Sequence, residues 1–489
     1  MMPMGQWDIR IISASYKKME ADLAVHLYGK TQDGKSVAVR FVGFEPYFHV
    51  VEPSPDVIEM LQNDERVVRL EDCELLYKGV NRKCQRVVVT APWLVPDIRK
   101  TVMPRAVVLA ADIPFHFRFM YDLDLGSCVR VFGEQVEDRT YKTDLVVNAK
   151  RFENIRAFHP KLKILSFDVE TSLKEPKIFT ICCVVKSDDK LESRGFEGDE
   201  KKMIQDFTDF IAETDPDVIT GYNIDGFDIH QILQRAQALH MPEPYWGRYP
   251  GSLSQYNNRF WWTEGRIIID AWWAVKKILK PKQETLNAVS KQLLGEEKHD
   301  VDPKKMDEEW ETDKERVMQY CTNDAGLALK VLEKVAILQR DMDLATVSKL
   351  PLDDVVNGTT SQLVDSILIR LADRNKVGVP MTMRTAEDIE TIEGGYVHEM
   401  NPGLYHWVLT LDFRSMYPSM IIAKNICFTT LSPDGTIVSP TGAKFLDKSV
   451  RVGLLPQILR QLMDERASTK KAMREAKTPD ERQYYDGLQ

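Results

Sequence analysis

Asp168 and Glu170 stand two residues apart in ILSFDVETS (164–172), a run whose Ile164, Leu165, Phe167 and Val169 otherwise read as a buried strand. In an extended chain such residues share one face, so the two carboxylates lie side by side. Their repulsion is costly unless a cation stands between them. Another acid, Asp228, follows Asn223 and Phe227 in YNIDGFDIHQI, at the end of the apolar strand DVITGYN (217–223), and strand ends are where ligands gather. Tyr320 and Asp324 of YCTND are four apart on a helical pattern and look out from one face. Four carboxylates, a tyrosine and an asparagine in such places suit hard divalent cations held by oxygen. Two such ions can activate a water and stabilise the leaving oxygen of a phosphodiester. A lone Asp-x-Glu pair is usually a solvated sheet edge; three sets in order weigh against that reading.

The ordered set Asp168-x-Glu170, Asn223-x₃-Phe227-Asp228 and Tyr320-x₃-Asp324 resembles the three motifs of the DEDDy 3′–5′ exonucleases. The resemblance implies that Asp168, Glu170, Asp228 and Asp324 bind metal and that Tyr320 positions the attacking water. Asn223 and Phe227 would meet DNA. The implied cofactor is Mg²⁺, two per active site, and Mn²⁺ also suits oxygen ligands.

VLTLDFRSMYPSMI (408–421) delivers Asp412 from an apolar run that reads as a strand, HWVLTLDF, into a turn with Ser415, Tyr417 and Pro418. Read by itself, Asp412 is a turn-forming or helix-capping acid. The string resembles the first catalytic motif of the family B DNA polymerases, of the form DFxSxYPS. That implies an Asp412 binding both catalytic metals, backbone N–H groups around Ser415 and Met416 meeting a dNTP triphosphate, and a Tyr417 under the deoxyribose that rejects ribonucleotides. Arg466, Lys470 and Arg474 of MDERASTKKAMREAK form a helical stripe, ordinarily a solvated face. By the resemblance it is the fingers helix, with Arg466 and Lys470 holding the triphosphate.

The resemblance covers essentially the whole chain in the order N-terminal domain, exonuclease, palm and fingers, and the archaeal branch is the most similar. APWLVPDIR with DIPFHFRF then implies a template-uracil pocket lined by Pro46, Pro92, Val95, Arg99, Phe115 and Arg118. The same residues also suit the core of a small α+β domain. The family's Tyr-x-Gly-Gly element stands here as Ile392-Glu393-Gly394-Gly395, so Gly394 and Gly395 are the expected DNA contacts without the tyrosine. The family's Lys-x₃-Asn-Ser-x-Tyr-Gly and Asp-Thr-Asp motifs are expected beyond Gln489, on a C-terminal polymerase fragment that partners this chain. The other implied partners are primer–template DNA, single-stranded 3′ ends, dNTPs and a sliding clamp.

Positioning these side chains takes several domains, which 489 residues allow. The expected fold is multidomain α/β and α+β, with an RNase H-like exonuclease domain (a mixed sheet flanked by helices), an α+β N-terminal domain and an incomplete palm and fingers. The expected boundaries are 1–145 for the N-terminal domain, 146–345 for the exonuclease, 346–385 for a helical return, 386–452 for the first part of the palm and 453–489 for the first fingers helix. DKERVMQYCTNDAGLALKVLEKVAILQRDMD (313–343) reads as one long helix.

Hydrophobic residues make up 43% and charged residues 28%, as in globular proteins, and no run is long and uncharged enough for a membrane span. A net charge of −9 argues against a histone-like DNA coat and says little about a nucleic-acid enzyme with acidic metal sites. Seven cysteines without CxxC spacing read as reduced thiols with no zinc site. The opening MMPMGQWDIR lacks a signal-peptide pattern, so the expected location is the cytoplasm, on the nucleoid. The expected activity is that of the N-terminal part of a replicative DNA polymerase with proofreading. A stand-alone exonuclease with a vestigial polymerase region, or a non-enzymatic DNA- or uracil-binding subunit, are the alternatives.

Overall fold

Alternating apolar residues in the first strands wind into a barrel. The computed structural model describes residues 5–19, 22–256, 259–296, 302–382, 396–413 and 415–488. Strands β1 (Gly5–Met19), β2 (Asp22–Thr31) and β3 (Ser36–Val42) are antiparallel neighbours, and the β2–β3 hairpin turns at Gly34, whose φ of 87° favours glycine. The chain then leaves for β4 (Tyr47–Val51), helix α1 (Pro55–Gln62), β5 (Val67–Tyr77), β6 (Val80–Val89), α2 (Val95–Val102) and β7 (Val107–Leu109). After α3 (Phe115–Asp122), β8 (Cys128–Val136) and β9 (Leu145–Asn154) close the barrel in the order β1-β2-β3-β9-β8. Only the β3–β9 pair is parallel, which is the Greek-key arrangement of an OB-fold. β9 begins at residue 145, so the boundary expected between 145 and 146 cuts a barrel strand. Residues 137–144 are the β8–β9 connection.

Past the barrel the chain forms β10 (Ile164–Thr171), β11 (Ile178–Ser187), β12 (Lys190–Glu197), α4 (Glu200–Thr214), β13 (Val218–Gly221) and α5 (Asp228–Ala238). The short hairpin β14 (Ser254–Tyr256) and β15 (Phe260–Trp262) precedes β16 (Ile267–Asp270). The sheet order is β12-β11-β10-β13-β16, antiparallel on one side of β10 and parallel on the other. This is the RNase H-like mixed sheet. Helices α6 (Ala271–Ile278), α7 (Leu286–Leu294), α8 (Met306–Thr312) and α9 (Lys314–Lys334) follow. The single helix expected over 313–343 is divided: α9 stops and α10 (Ile337–Ser348) restarts after Ala336, which takes a φ of 50°. No glycine or proline marks that break, so the apolar period runs straight through it.

Residues 1–44, 119–366 and 477–489 form one compact unit, and 45–118 with 367–476 form another. In the first, a buried charge cluster ties barrel to sheet. Arg248 donates to Asp215 at 2.9 Å and Asp217 at 2.7 Å, Arg266 donates to Asp215 at 2.8 Å, and Lys30 of β2 pairs with Asp217. Burial alone would raise Asp215, yet Arg248 and Arg266 hold it well below the usual carboxylate range. Helices α11 (Leu352–Val356) and α12 (Thr360–Arg374) come next.

The second unit contains the sheet β5-β6-β4-β7 over a core that includes Phe48, Val50, Val57, Leu61, Val87 and Ile98. It also holds α13 (Met416–Lys424) and α14 (Leu454–Glu475); α15 (Pro479–Leu488) belongs to the first unit. The strand expected over 406–413 does not form. No described strand pairs with it, and Trp407, Leu409, Leu411 and Phe413 are exposed. A lone apolar strand has nothing to satisfy its backbone groups.

Candidate active site

Strand β10 sorts its side chains by parity. Leu165, Phe167 and Val169 enter the core with Phe207 and Trp246, while Ser166, Asp168 and Glu170 take the opposite face, against α9. On that face Ser166 Oγ donates to the carbonyl of Ala325 at 2.7 Å and Cys321 Sγ donates to the carbonyl of Asp168 at 3.3 Å. Asp168 stands directly opposite Cys182, and Glu170 opposite Thr180.

Asp228 is the first residue of α5, where a carboxylate meets the positive end of the helix. Its Oδ1 accepts the Val169 N–H at 3.0 Å, so it lies beside the two acids of β10. Burial, then Asp168, then Asp270 push its carboxyl well above the usual range. Such crowding of acids is what a divalent cation relieves. The donor set fits one: carboxylate oxygens of Asp168 and Glu170, with Cys321 Sγ, all lie within 4.8 Å of one another.

Asp324 and Tyr320 are both buried on α9. Asp324 lines a cavity of about 430 Å³ with Asp168, Tyr222, Asn223, Trp272, Glu284, Thr285 and Leu286. The Tyr320 ring packs with Phe179, Met306, Trp310 and Val317. Asn223 takes a φ of 68° and is exposed, and Phe227 is 38% exposed at the cap of α5. Asp168, Asn223 and Asp324 thus share one cavity, Glu170 is within reach of Asp168, and Asp228 is joined through Val169.

Two residues escaped the sequence reading as participants. Asp270 caps α6 and accepts the backbone N–H groups of Asn223 at 2.7 Å, Trp272 at 2.9 Å and Asp225 at 3.1 Å. Burial raises it to about 6, and burial with Asp270 raises Asp225 to about 8. Its place at the end of GRIIID was the available signal. Cys321 sits between Tyr320 and Asp324 and was legible only as core. A groove of about 780 Å³ on the barrel, with Lys18, Arg40, Phe41, Lys150 and Tyr249 in its lining, depends on closure of the barrel and has no motif.

The other expected positions are not gathered in this way. Asp412 and Tyr417 are exposed, Ser415 takes a φ of 51° as the cap of α13, and Met416 and Tyr417 open that helix rather than a turn. Arg466, Lys470 and Arg474 share one stripe of α14. Among the described residues no hydrogen bond or ion pair joins Asp412 to Arg466 or Lys470. Gly394 and Gly395 lie outside the described residues. Of the uracil-pocket positions, Pro46, Val95, Arg99, Phe115 and Arg118 are buried and Pro92 is half-buried. Arg99 donates to the carbonyl of Ala111 at 3.0 Å and Arg118 pairs with Asp373. Val95 packs in the core of the small sheet, and such burial suits a domain core.

Two family models match: DNA polymerase family B over residues 350–489, and its exonuclease domain over 195–289, a range that holds Asn223, Phe227 and Asp228. The chain is 29% identical to the DNA polymerase delta catalytic subunit of Mesocricetus auratus, over 94% of this chain and 51% of that one. It is 31% identical to a DNA polymerase of Archaeoglobus fulgidus, over 94% of this chain and 59% of the other. The family B DNA polymerase structure from Pyrobaculum calidifontis is 26% identical with a TM-score of 0.81, covering 98% of this chain and 66% of that one. The chain spans about half the length of most of the curated relatives it matches. With its barrel, its RNase H-like sheet and both family matches in sequence order, the chain is similar over nearly its whole length to the family B DNA polymerases.

Proposed function

We propose that this chain carries the proofreading site of a replicative DNA polymerase and hydrolyses the terminal phosphodiester at a single-stranded 3′ end. The convergence of Asp168, Glu170 and Asp228, with Asp324 in the same cavity wall as Asp168, carries this reading. Mg²⁺ ions held by these four carboxylates would supply the charge that activates water and steadies the leaving oxygen. Tyr320, fixed by its aromatic neighbours, hydrogen-bonds the attacking water or the scissile phosphate. Tyr222 and Trp272 offer ring faces to the terminal base, and such stacking is tolerant of sequence. Asn223 and Phe227, at the exposed lip, orient the penultimate nucleotide. The barrel groove with Lys18, Lys150 and Phe41 suits a single strand, since cationic side chains meet phosphates and rings meet bases.

Asp412, Ser415, Met416, Tyr417, Arg466 and Lys470 serve template-directed nucleotidyl transfer together with a C-terminal fragment supplying the remaining acids. Residues 396–413 form no strand and leave Asp412 exposed, so excision is the activity that the described residues of this chain assemble a site for. Among the described residues no helix is long and apolar enough to cross a membrane, and a place on the nucleoid goes with this reading.

The test is Mg²⁺-dependent shortening of a 5′-labelled single strand by the full chain, compared with an Asp168→Ala/Glu170→Ala double variant. Shortening that both proteins perform equally, or that neither performs, sinks the assignment. Primer extension after mixing with a candidate C-terminal fragment tests the second half.

A further inference from the structure

The wall of the excision cavity includes an acid that the proposed metals do not use. Asp168 and Asp324 line it as proposed ligands, while Glu284 lines it from just ahead of the Thr285 cap of α7. A cavity that admits a phosphodiester strand gains from having such a charge covered, because like charges repel. The cover comes from α6, where Lys276 Nζ reaches Glu284 Oε2 at 3.1 Å. The same ammonium lies 4.2 Å from the centre of the Trp272 ring and 5.1 Å from that of Trp273. Trp272 lines the cavity as well, and the Tyr222 hydroxyl donates to the Glu284 carbonyl. Lys276 thus joins an acid of the wall to a ring of the same wall. The Lys276 and Glu284 side chains are 33% and 41% exposed, so the pair adds little to folding stability. Its use lies in where it stands.

We infer that Lys276 is a positioning residue for the 3′ strand, neutralising Glu284 and steadying Trp272 so that the terminal nucleotide meets a ring and not a bare negative charge. This rests on the excision reading for the identity of the strand. With the lysine charge removed, the Glu284 carboxylate faces the incoming phosphates unpaired and the strand binds more weakly. The acids proposed to hold metal are untouched, so a bound strand is cut at the ordinary rate.

The experiment takes two readings on the full chain. One is Mg²⁺-dependent shortening of a 5′-labelled single strand, resolved into kcat and KM. The other is metal-free fluorescence anisotropy of a labelled oligothymidine. Lys276→Met keeps most of the side chain and removes its charge. It should raise KM and weaken metal-free binding by about tenfold, with kcat held within about twofold. Lys276→Arg should match the parent. Lys276→Met combined with Glu284→Gln should return KM and affinity to within about twofold of the parent, because both charges are then gone. Added salt should narrow the gap between the parent and Lys276→Met, since screening weakens the repulsion. Melting curves establish that each variant folds, and Lys276→Gln replaces Lys276→Met if the latter does not. An unchanged KM, a loss confined to kcat, or a defect that Glu284→Gln fails to correct overturns the inference; the last would make Lys276 a direct phosphate contact. Absence of shortening by the parent removes the excision reading instead. The anisotropy series then still decides the pair: weakening in Lys276→Met with recovery in the double variant keeps it, and any other pattern overturns it.

Discussion

The Val169 N–H donates to the Asp228 carboxylate at 3.0 Å, so the residue between the two β10 acids is tied to the acid that opens α5. The bond holds three carboxylates in one neighbourhood although they come from positions far apart in sequence. Asp228→Asn preserves an acceptor for Val169 and removes a charge that burial and Asp168 disfavour. The metal-free variant should melt no lower than the parent, while excision falls by about 10²–10³-fold. Added Mg²⁺ should raise the parent's melting temperature and leave the variant's unchanged, since only a binding-competent native state gains from ligand. Differential scanning calorimetry with and without Mg²⁺, beside a strand-shortening assay, checks both halves.

Asp270 accepts three backbone N–H groups, two of them on the loop that carries Asn223. Asp270→Ala should reduce the turnover of excision by about 10–100-fold, as loss of supporting residues does. It should also cost about 0.5–2 kcal/mol through the lost cap of α6. Asp270→Asn should recover most of the stability and part of the turnover, because one oxygen still serves Asn223 and Trp272. Steady-state kinetics on both variants, with urea unfolding, separates the two effects.

Asp225 is held at about 8, against an ordinary 3.8, by burial and by Asp270. Its proton is therefore bound more tightly in the native state than in the unfolded chain. The stability this confers is fully present below about pH 4 and is lost as pH rises through about 8. Asp225→Asn, which cannot ionise, should flatten the decline in melting temperature across that window. A decline of equal steepness in parent and variant would remove Asp225 as its source.

Arg248 is fully buried between Asp215 and Asp217. Arg248→Ala leaves buried carboxylates short of a partner and should destabilise by about 3–5 kcal/mol. Chemical denaturation monitored by tryptophan fluorescence reads this directly.

The lysines of the barrel groove make a salt-sensitive prediction. For Lys18→Ala and Lys150→Ala, single-strand affinity should drop, and the slope of log affinity against log salt should shrink by about 0.7 for each lysine that meets a phosphate. Fluorescence anisotropy across a salt series measures it, and unchanged slopes would take the strand off this face.

The fold class was legible in the order of the strand and helix patterns, and the grouping of some acids in their spacing. That Asp168 and Glu170 share one strand face and that Tyr320 and Asp324 share one helix could be read because strand parity and helical spacing are local rules that the fold keeps. Asp270 was hidden because its role is to hold backbone amides of a loop nearly fifty residues upstream, and no spacing encodes that. The barrel was hidden for a similar reason: β3 and β9 are parallel neighbours separated by a whole inserted sheet. HWVLTLDF misled in the other direction. Its apolar run is a strand signal, but a strand needs a neighbour, and none of the described strands provides one.

The cluster of Lys30, Asp217, Arg248, Asp215 and Arg266 also bears on heredity. Four of its five charges lie in the nuclease segment and pair among themselves, so exchanging that segment alone would keep them together and leave only the β2 Lys30 in need of an acid at position 217. A junction between barrel and nuclease is thus tolerated wherever the incoming segment carries an acid at position 217 to meet Lys30.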